Sequence, residues 1–125
     1  MSARPMSRLR ALCLALPEAE ERATWDLPTF RVRGKIFAIA PGQGQDLAVW
    51  CKAPPGAQQV LVGADADRFF APPYLGPKGW IGMRLHPPPD WAEVTGLVRR
   101  SWRLVAPKRL VVQADGQRKD PEETA

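Results

Sequence analysis

One histidine and two cysteines are all the imidazole and thiol metal ligands in 125 residues. His86, Cys13 and Cys51 follow no C-x-x-C or H-x-x-H spacing, so the sequence predicts no metal site and no cofactor. A nucleophilic Cys–His pair lacks any local signature. There is no glycine-rich phosphate loop either, since GPKG at 76–79 is too short and no Ser or Thr follows it. Glu18, Glu20 and Glu21 cluster, but an acidic run beside a helix end reads as a solvated loop rather than an acid–base pair. With no catalytic residue to nominate, the expectation is a protein that is not an enzyme.

Long apolar runs are missing too. The stretch around Leu12 is short and broken by Arg8 and Arg10, which predicts neither a signal segment nor a membrane span. Cys13 and Cys51, far apart and in apolar surroundings, read as reduced core residues of a cytoplasmic protein, with a disulfide as the alternative. No internal repeat or low-complexity tract occurs.

Among the residues present, the 14 prolines and five tryptophans stand out. The net charge is +5, and it is uneven. Asp115, Asp120, Glu122 and Glu123 outnumber Arg118 and Lys119 at the C-terminus, so the body before Asp115 carries a larger positive excess. Such a body attracts phosphates, nucleic acid or anionic membrane, although net charge also serves solubility. A chain of this length buries enough surface for one core. The expected organisation is one domain over 1–112 followed by a flexible polar tail over 113–125.

Leu9, Leu12, Cys13 and Leu16 share one helical face in a helix over 7–16, which Pro17 ends. Arg22 to Leu27 leads into a first strand with Trp25 packed at its mouth. In TFRVRGKIF, residues 29–37, Phe30 and Val32 alternate with Arg31 and Arg33, the period-two pattern of a half-buried strand. A one-glycine turn at Gly34 then sends the chain back through 35–40. A third strand follows over 46–52, one or two helical turns over 57–62, and a short strand or bend at Phe69 and Phe70. GWIGMRL at 79–85 reads as a central strand with Trp80 and Gly82 on one face, and Ile81, Met83 and Leu85 on the other. Asp90 caps a helix from Trp91 to about Ala106, with Glu93 completing a capping-box-like start. Trp91, Val94, Val98, Trp102 and Val105 form its core stripe, with Arg99, Arg100 and Arg103 opposite. A short extended piece over 108–112 closes the body.

Four fragments in this order resemble the MmcQ/YjbR family: ALCLALPEAEE at 11–21, TFRVRGKIFA at 29–38, APPYLGPKGWIGMRL at 71–85 and DWAEVTGLVRRSWRLVAPK at 90–108. The resemblance implies a two-layer α+β fold, YjbR-like and secretion-chaperone-like. It has an antiparallel sheet of about five strands, with N-terminal and C-terminal helices on one face. It also implies kinship to a double-wing arrangement suspected of binding DNA. The PGQGQ turn at 41–45 and the polar stretch after Val112 depart from the family pattern.

Two functional expectations follow. Arg31, Arg33 and Lys35 on the hairpin, with Arg99, Arg100, Arg103 and Lys108 on and beyond the last helix, are candidate phosphate contacts for weak, non-specific DNA binding. The bland alternative is that these are solvated faces. Pro73, Tyr74 and Trp80 are candidates for an aromatic, proline-lined groove that takes a small molecule or a protein partner. No membrane partner is expected.

Overall fold

The computed structural model describes residues 4–118. The elements are α1 (Pro5–Leu14), β1 (Ala19–Thr24), β2 (Leu27–Val32), β3 (Lys35–Ile39), β4 (Ala48–Cys51), α2 (Ala57–Ala64), β5 (Phe69–Phe70), β6 (Ile81–Arg84), α3 (Trp91–Val105) and α4 (Lys108–Arg118). The strands form one six-stranded sheet in the order β1-β2-β3-β4-β6-β5, and every neighbouring pair is antiparallel. The fold is thus the expected two-layer α+β arrangement with six strands rather than about five.

The additional strand is β1. Glu18 sits in a turn, but Glu20 and Glu21 belong to this edge strand instead of a loop, because their backbone pairs with β2 from Ala19↔Val32 to Thr24↔Leu27. Its side chains are exposed or half-buried, and charged residues on such an edge disfavour pairing with another chain. β6 returns between β4 and β5, so the short Phe69–Phe70 strand forms the opposite edge.

Helices α1 and α3 cover one face of the sheet. Leu9 and Cys13 of α1 and Val94, Val98 and Trp102 of α3 pack on Phe30, Val32, Val49, Ile81 and Met83. An irregularity in the β2–β3 register pairs Phe30 with Ala38 but Arg31 with Ile36, leaving Phe37 as an extra, bulged residue. Ser101 of α3 meets it: the buried hydroxyl donates to the Phe37 carbonyl at 2.6 Å and accepts from the Lys52 N–H at 2.8 Å. Helix and sheet are therefore joined by hydrogen bonds as well as by apolar contact.

Several local expectations are corrected. Asp90 does cap α3, its carboxylate accepting from the Ala92 N–H, but Glu93 does not close a capping box; it pairs with Arg68. The piece over 108–112 is helical, and α4 runs on to Arg118 with Leu110 and Ala114 buried, so the structured body passes 112. The apolar Leu110, Val111 and Ala114 recur at helical spacing and find a surface on the rest of the fold. The remainder of the expected tail, 119–125, lies outside the described residues. The hairpin turn has two residues, not one: Arg33 and Gly34 both hold positive φ, 51° and 79°, as a tight hairpin with right-handed strand twist requires.

Both cysteines are free and buried. Burial pushes the Cys13 thiol up, and it pushes the Cys51 thiol up to about 12. Both stay protonated and unreactive near neutral pH. No helix among the described residues is long and apolar enough to cross a membrane.

Candidate functional site

Two surfaces gather the residues nominated from the sequence. The first is the end of the molecule that carries the β2–β3 turn. Phe37 and Lys52 lie at this end of the sheet, and Ser101 anchors the C-terminal half of α3 to both. The next residue, Trp102, donates its indole N–H to the Pro17 carbonyl at 3.1 Å, and the adjacent Glu18 holds Arg33 through both carboxylate oxygens. This chain of contacts brings Arg33 and Lys35 of the turn, Lys52, and Arg100 and Arg103 of α3 to one end. Lys108 and Arg109 follow at the exposed start of α4.

Not all of these charges are equally available. Arg33 is paired with Glu18, and Arg103 is paired with Asp115 of α4. Each carboxylate raises its guanidinium's pKa, and Arg33 in turn holds the Glu18 carboxyl below its usual range. These pairs are solvent-exposed, where an ion pair contributes little and yields readily to a competing anion. Lys35, Lys52, Lys108 and Arg109 are exposed.

Arg31 is not at the tip. Its guanidinium lies along the sheet face away from the helices, donating to the Thr24 hydroxyl at 2.7 Å and to the Thr29 hydroxyl and Gly34 carbonyl at 3.4 Å. The three α3 arginines share one side of the helix: at 100° per residue Arg103 falls between Arg99 and Arg100, and all three lie within an arc of about 100°. Arg99 lines a cleft against Leu12, Thr95 and Trp102. Arg100 is half-buried, and its Nε and one terminal nitrogen are shielded from solvent without an acceptor among the described residues.

The second surface is the helix-free face of the sheet. Register puts Leu27, Thr29 and Arg31 of β2, Ile36 and Ile39 of β3 and Trp50 of β4 on this side. A cavity of about 550 Å³ lies over Leu27, Ile36, Ile39 and Trp50. Its other wall is the segment before β6, with Pro73, Tyr74, Leu75 and Trp80. The side-chain amide of Gln58 in α2 fixes that wall by donating to the carbonyls of Gly76 and Trp80 at 2.9 and 2.6 Å.

Two aromatics stand at the cavity's mouth in unfavourable states. Trp25 is 81% exposed, with φ 54°, in the two-residue turn between β1 and β2, so it does not pack at the strand's mouth as expected. Tyr74 is 93% exposed, with φ 66°, in a three-residue turn closed by the Leu75 N–H on the Pro73 carbonyl at 2.7 Å. A bulky residue in the left-handed region costs about 1 kcal/mol or more, and positive-φ turns of this three-residue kind are strained. Trp80, 8% exposed, forms the floor of the wall. Of this groove the sequence marked Pro73, Tyr74 and Trp80; Leu27, Ile36, Ile39 and Trp50 went unmarked. Their signal was the alternation that placed Phe30 and Val32 on the opposite face.

The YjbR family model matches residues 14–104, and the chain belongs to the YjbR family. The crystal structure of Deinococcus radiodurans protein DR2400, which carries the domain DUF419, superposes with a TM-score of 0.72 at 23% identity, covering 80% of this chain and 77% of that one. That similarity establishes a shared fold. No curated protein matches the sequence.

Proposed function

We propose that the protein is a non-enzymatic module that holds the phosphate backbone of DNA at its basic end, weakly and without sequence preference. The observation that carries this reading is the joining of the hairpin turn to the C-terminal half of α3 through Ser101 and Trp102. Arg33, Lys35, Lys52, Arg100, Arg103 and Lys108 then form one surface rather than scattered charges. Arg31, set apart from that end, contributes through the general field only. Fluorescence anisotropy with a labelled duplex at two salt concentrations tests it. Binding should weaken steeply with salt, and each phosphate-contacting residue removed should reduce the salt slope by about one. A Lys35→Gln, Lys52→Gln variant should bind several-fold less tightly, while Arg31→Gln should not. Absence of binding at low salt would sink the proposal.

A second reading is favoured by one specific observation, the pair of exposed, left-handed aromatics at the mouth of the apolar cavity. In this reading the groove over Ile39 and Trp50 takes a small apolar ligand. Backbone strain and solvent-exposed aromatic surface are both costs to the folded state, and they cluster where a function offsets them. Quenching or energy transfer from Trp25, Trp50 and Trp80 reports occupancy; no loss of affinity on Trp25→Ala and Tyr74→Ala would remove the reading.

A further inference from the structure

The helix-free face carries a guanidinium whose charge no carboxylate among the described residues neutralises. Arg10, Arg22, Arg33, Arg68 and Arg103 each have an acidic partner. Arg31, half-buried, has only hydroxyls and a carbonyl. These neutral acceptors hold the planar group in place without cancelling its charge. Three contacts use three of the five guanidinium N–H groups, so two meet no acceptor among the described residues.

Its position relative to the groove follows from register. Arg31 itself lies opposite Ile36. The two hydroxyls it holds belong to Thr24, opposite Leu27, and Thr29, opposite Ile39. Ile36, Leu27 and Ile39 all line the apolar cavity. Arg31 does not itself line the cavity; by register it lies beside Ile36, just outside the apolar lining on its β2 side. Glu20 lies across from Arg31 on the same face, and Arg22 engages its carboxylate at 3.1 Å. Asp26 opens onto a separate hollow beside Met6 and Pro28. On the other side of the face Arg84 lies over the Phe70 ring, 4.6 Å from its centroid, and makes no ion pair among the described residues.

We infer that the groove takes an aromatic monoanion, its ring body against Trp25, Trp50 and Tyr74 and its acidic group on the free N–H groups of Arg31. The inference rests on the groove reading above and adds the charge and shape of the ligand. Flat walls of indole and phenol rings favour a flat apolar body. A pre-positioned, unneutralised guanidinium just outside the lining favours one carboxylate or sulfonate, because a planar fork matches two acceptor oxygens.

The test uses two probes with the same ring body, the anionic 1-anilinonaphthalene-8-sulfonate and the neutral N-phenyl-1-naphthylamine, titrated against the full chain. Trp25→Ala and Tyr74→Ala, both at exposed positions, should weaken both probes. Arg31→Gln should weaken the sulfonate about tenfold and leave the neutral amine within about twofold, the difference expected for a charge-assisted contact. Arg31→Lys, which keeps the charge and loses the fork, should fall between wild type and Arg31→Gln for the sulfonate. If the aromatic variants weaken both probes but neither Arg31 variant separates them, the anion inference is overturned and the groove reading stands. If Trp25→Ala and Tyr74→Ala affect neither probe, the groove reading falls and the inference goes with it.

Discussion

Replacing Ser101 by alanine tests whether one hydroxyl joins the two layers of this fold. The side chain is fully buried, donates to the Phe37 carbonyl and accepts from the Lys52 N–H. Phe37 is the bulged residue of β3 and is itself buried, so neither a neighbouring strand nor solvent offers its carbonyl a substitute donor. Lys52 follows the last residue of β4 and is exposed, so water can reach its N–H more easily. A buried group left without a partner costs about 1–3 kcal/mol, and the more accessible one costs less. The sum for Ser101→Ala is about 2–4 kcal/mol, a large share of the roughly 5–15 kcal/mol that holds a domain folded. With an unfolding entropy of about 2.1 cal/mol/K per residue, the midpoint of thermal unfolding should fall by roughly 10 °C. Guanidinium unfolding followed by both tryptophan fluorescence and circular dichroism measures the loss at constant slope. Ser101→Cys, with a weaker donor of similar shape, should lose about half as much. A loss below about 0.5 kcal/mol for the alanine variant would refute the account, since an unpaired buried Phe37 carbonyl cannot be that cheap.

Gly42 holds φ 82°, and a Cβ there would stand 2.2 Å from the Asp46 carbonyl oxygen; Gly42→Ala should therefore destabilise by about 2–4 kcal/mol in the same unfolding assay. Trp25→Asn with Asp26→Gly installs the sequence that a tight two-residue hairpin turn prefers. It should raise stability by about 1 kcal/mol while weakening binding of either naphthyl probe, separating what the turn costs from what it does. Glu18→Gln and Asp115→Asn release Arg33 and Arg103 from their ion pairs. Each should tighten duplex binding more than Asp67→Asn, a matched charge change on the opposite part of the sheet, and equal effects would show that only net charge matters. The Cys51 thiol, pushed up to about 12 by burial, gives a pH test. Above an unfolded value of about 8.5 the unfolded chain loses this proton and the folded chain keeps it, so stability falls as pH rises toward 12. The fall between pH 9 and 11 should be shallower in Cys51→Ala by about one proton, as equilibrium unfolding at several pH values would reveal.

Wherever the residues of one element chose its structure locally, the sequence was legible. Phe30 and Val32 alternate with Arg31, and Trp80 and Gly82 with Ile81 and Met83, so both strands and their faces could be read. Asp90 capped α3 as its side chain predicts. β1 was missed because AEERAT has no apolar alternation, being an edge strand held by β2's backbone rather than by side-chain burial. α4 was missed because its helical character depends on Leu110 and Ala114 finding a surface on the rest of the fold. The capping box at Glu93 failed because Arg68, 25 positions earlier in the chain, is brought close enough to take its carboxylate.

By itself the sequence determined most of the strands and helices, β1 and α4 excepted, the two inert cysteines, the family to which the chain belongs and the stock of basic and aromatic residues. Those properties reside in short-range pattern and composition. The tertiary structure alone decided which of these residues become neighbours. It gathered the Arg33 turn and the α3 terminus at one end through Ser101 and Trp102, withdrew Arg31 to the free face, and left an apolar cavity beneath Trp25 and Tyr74. Such juxtapositions depend on strand order, on the register shift at Phe37 and on which sheet face the helices cover. These are settled by the packing of the whole chain, not by any segment of it.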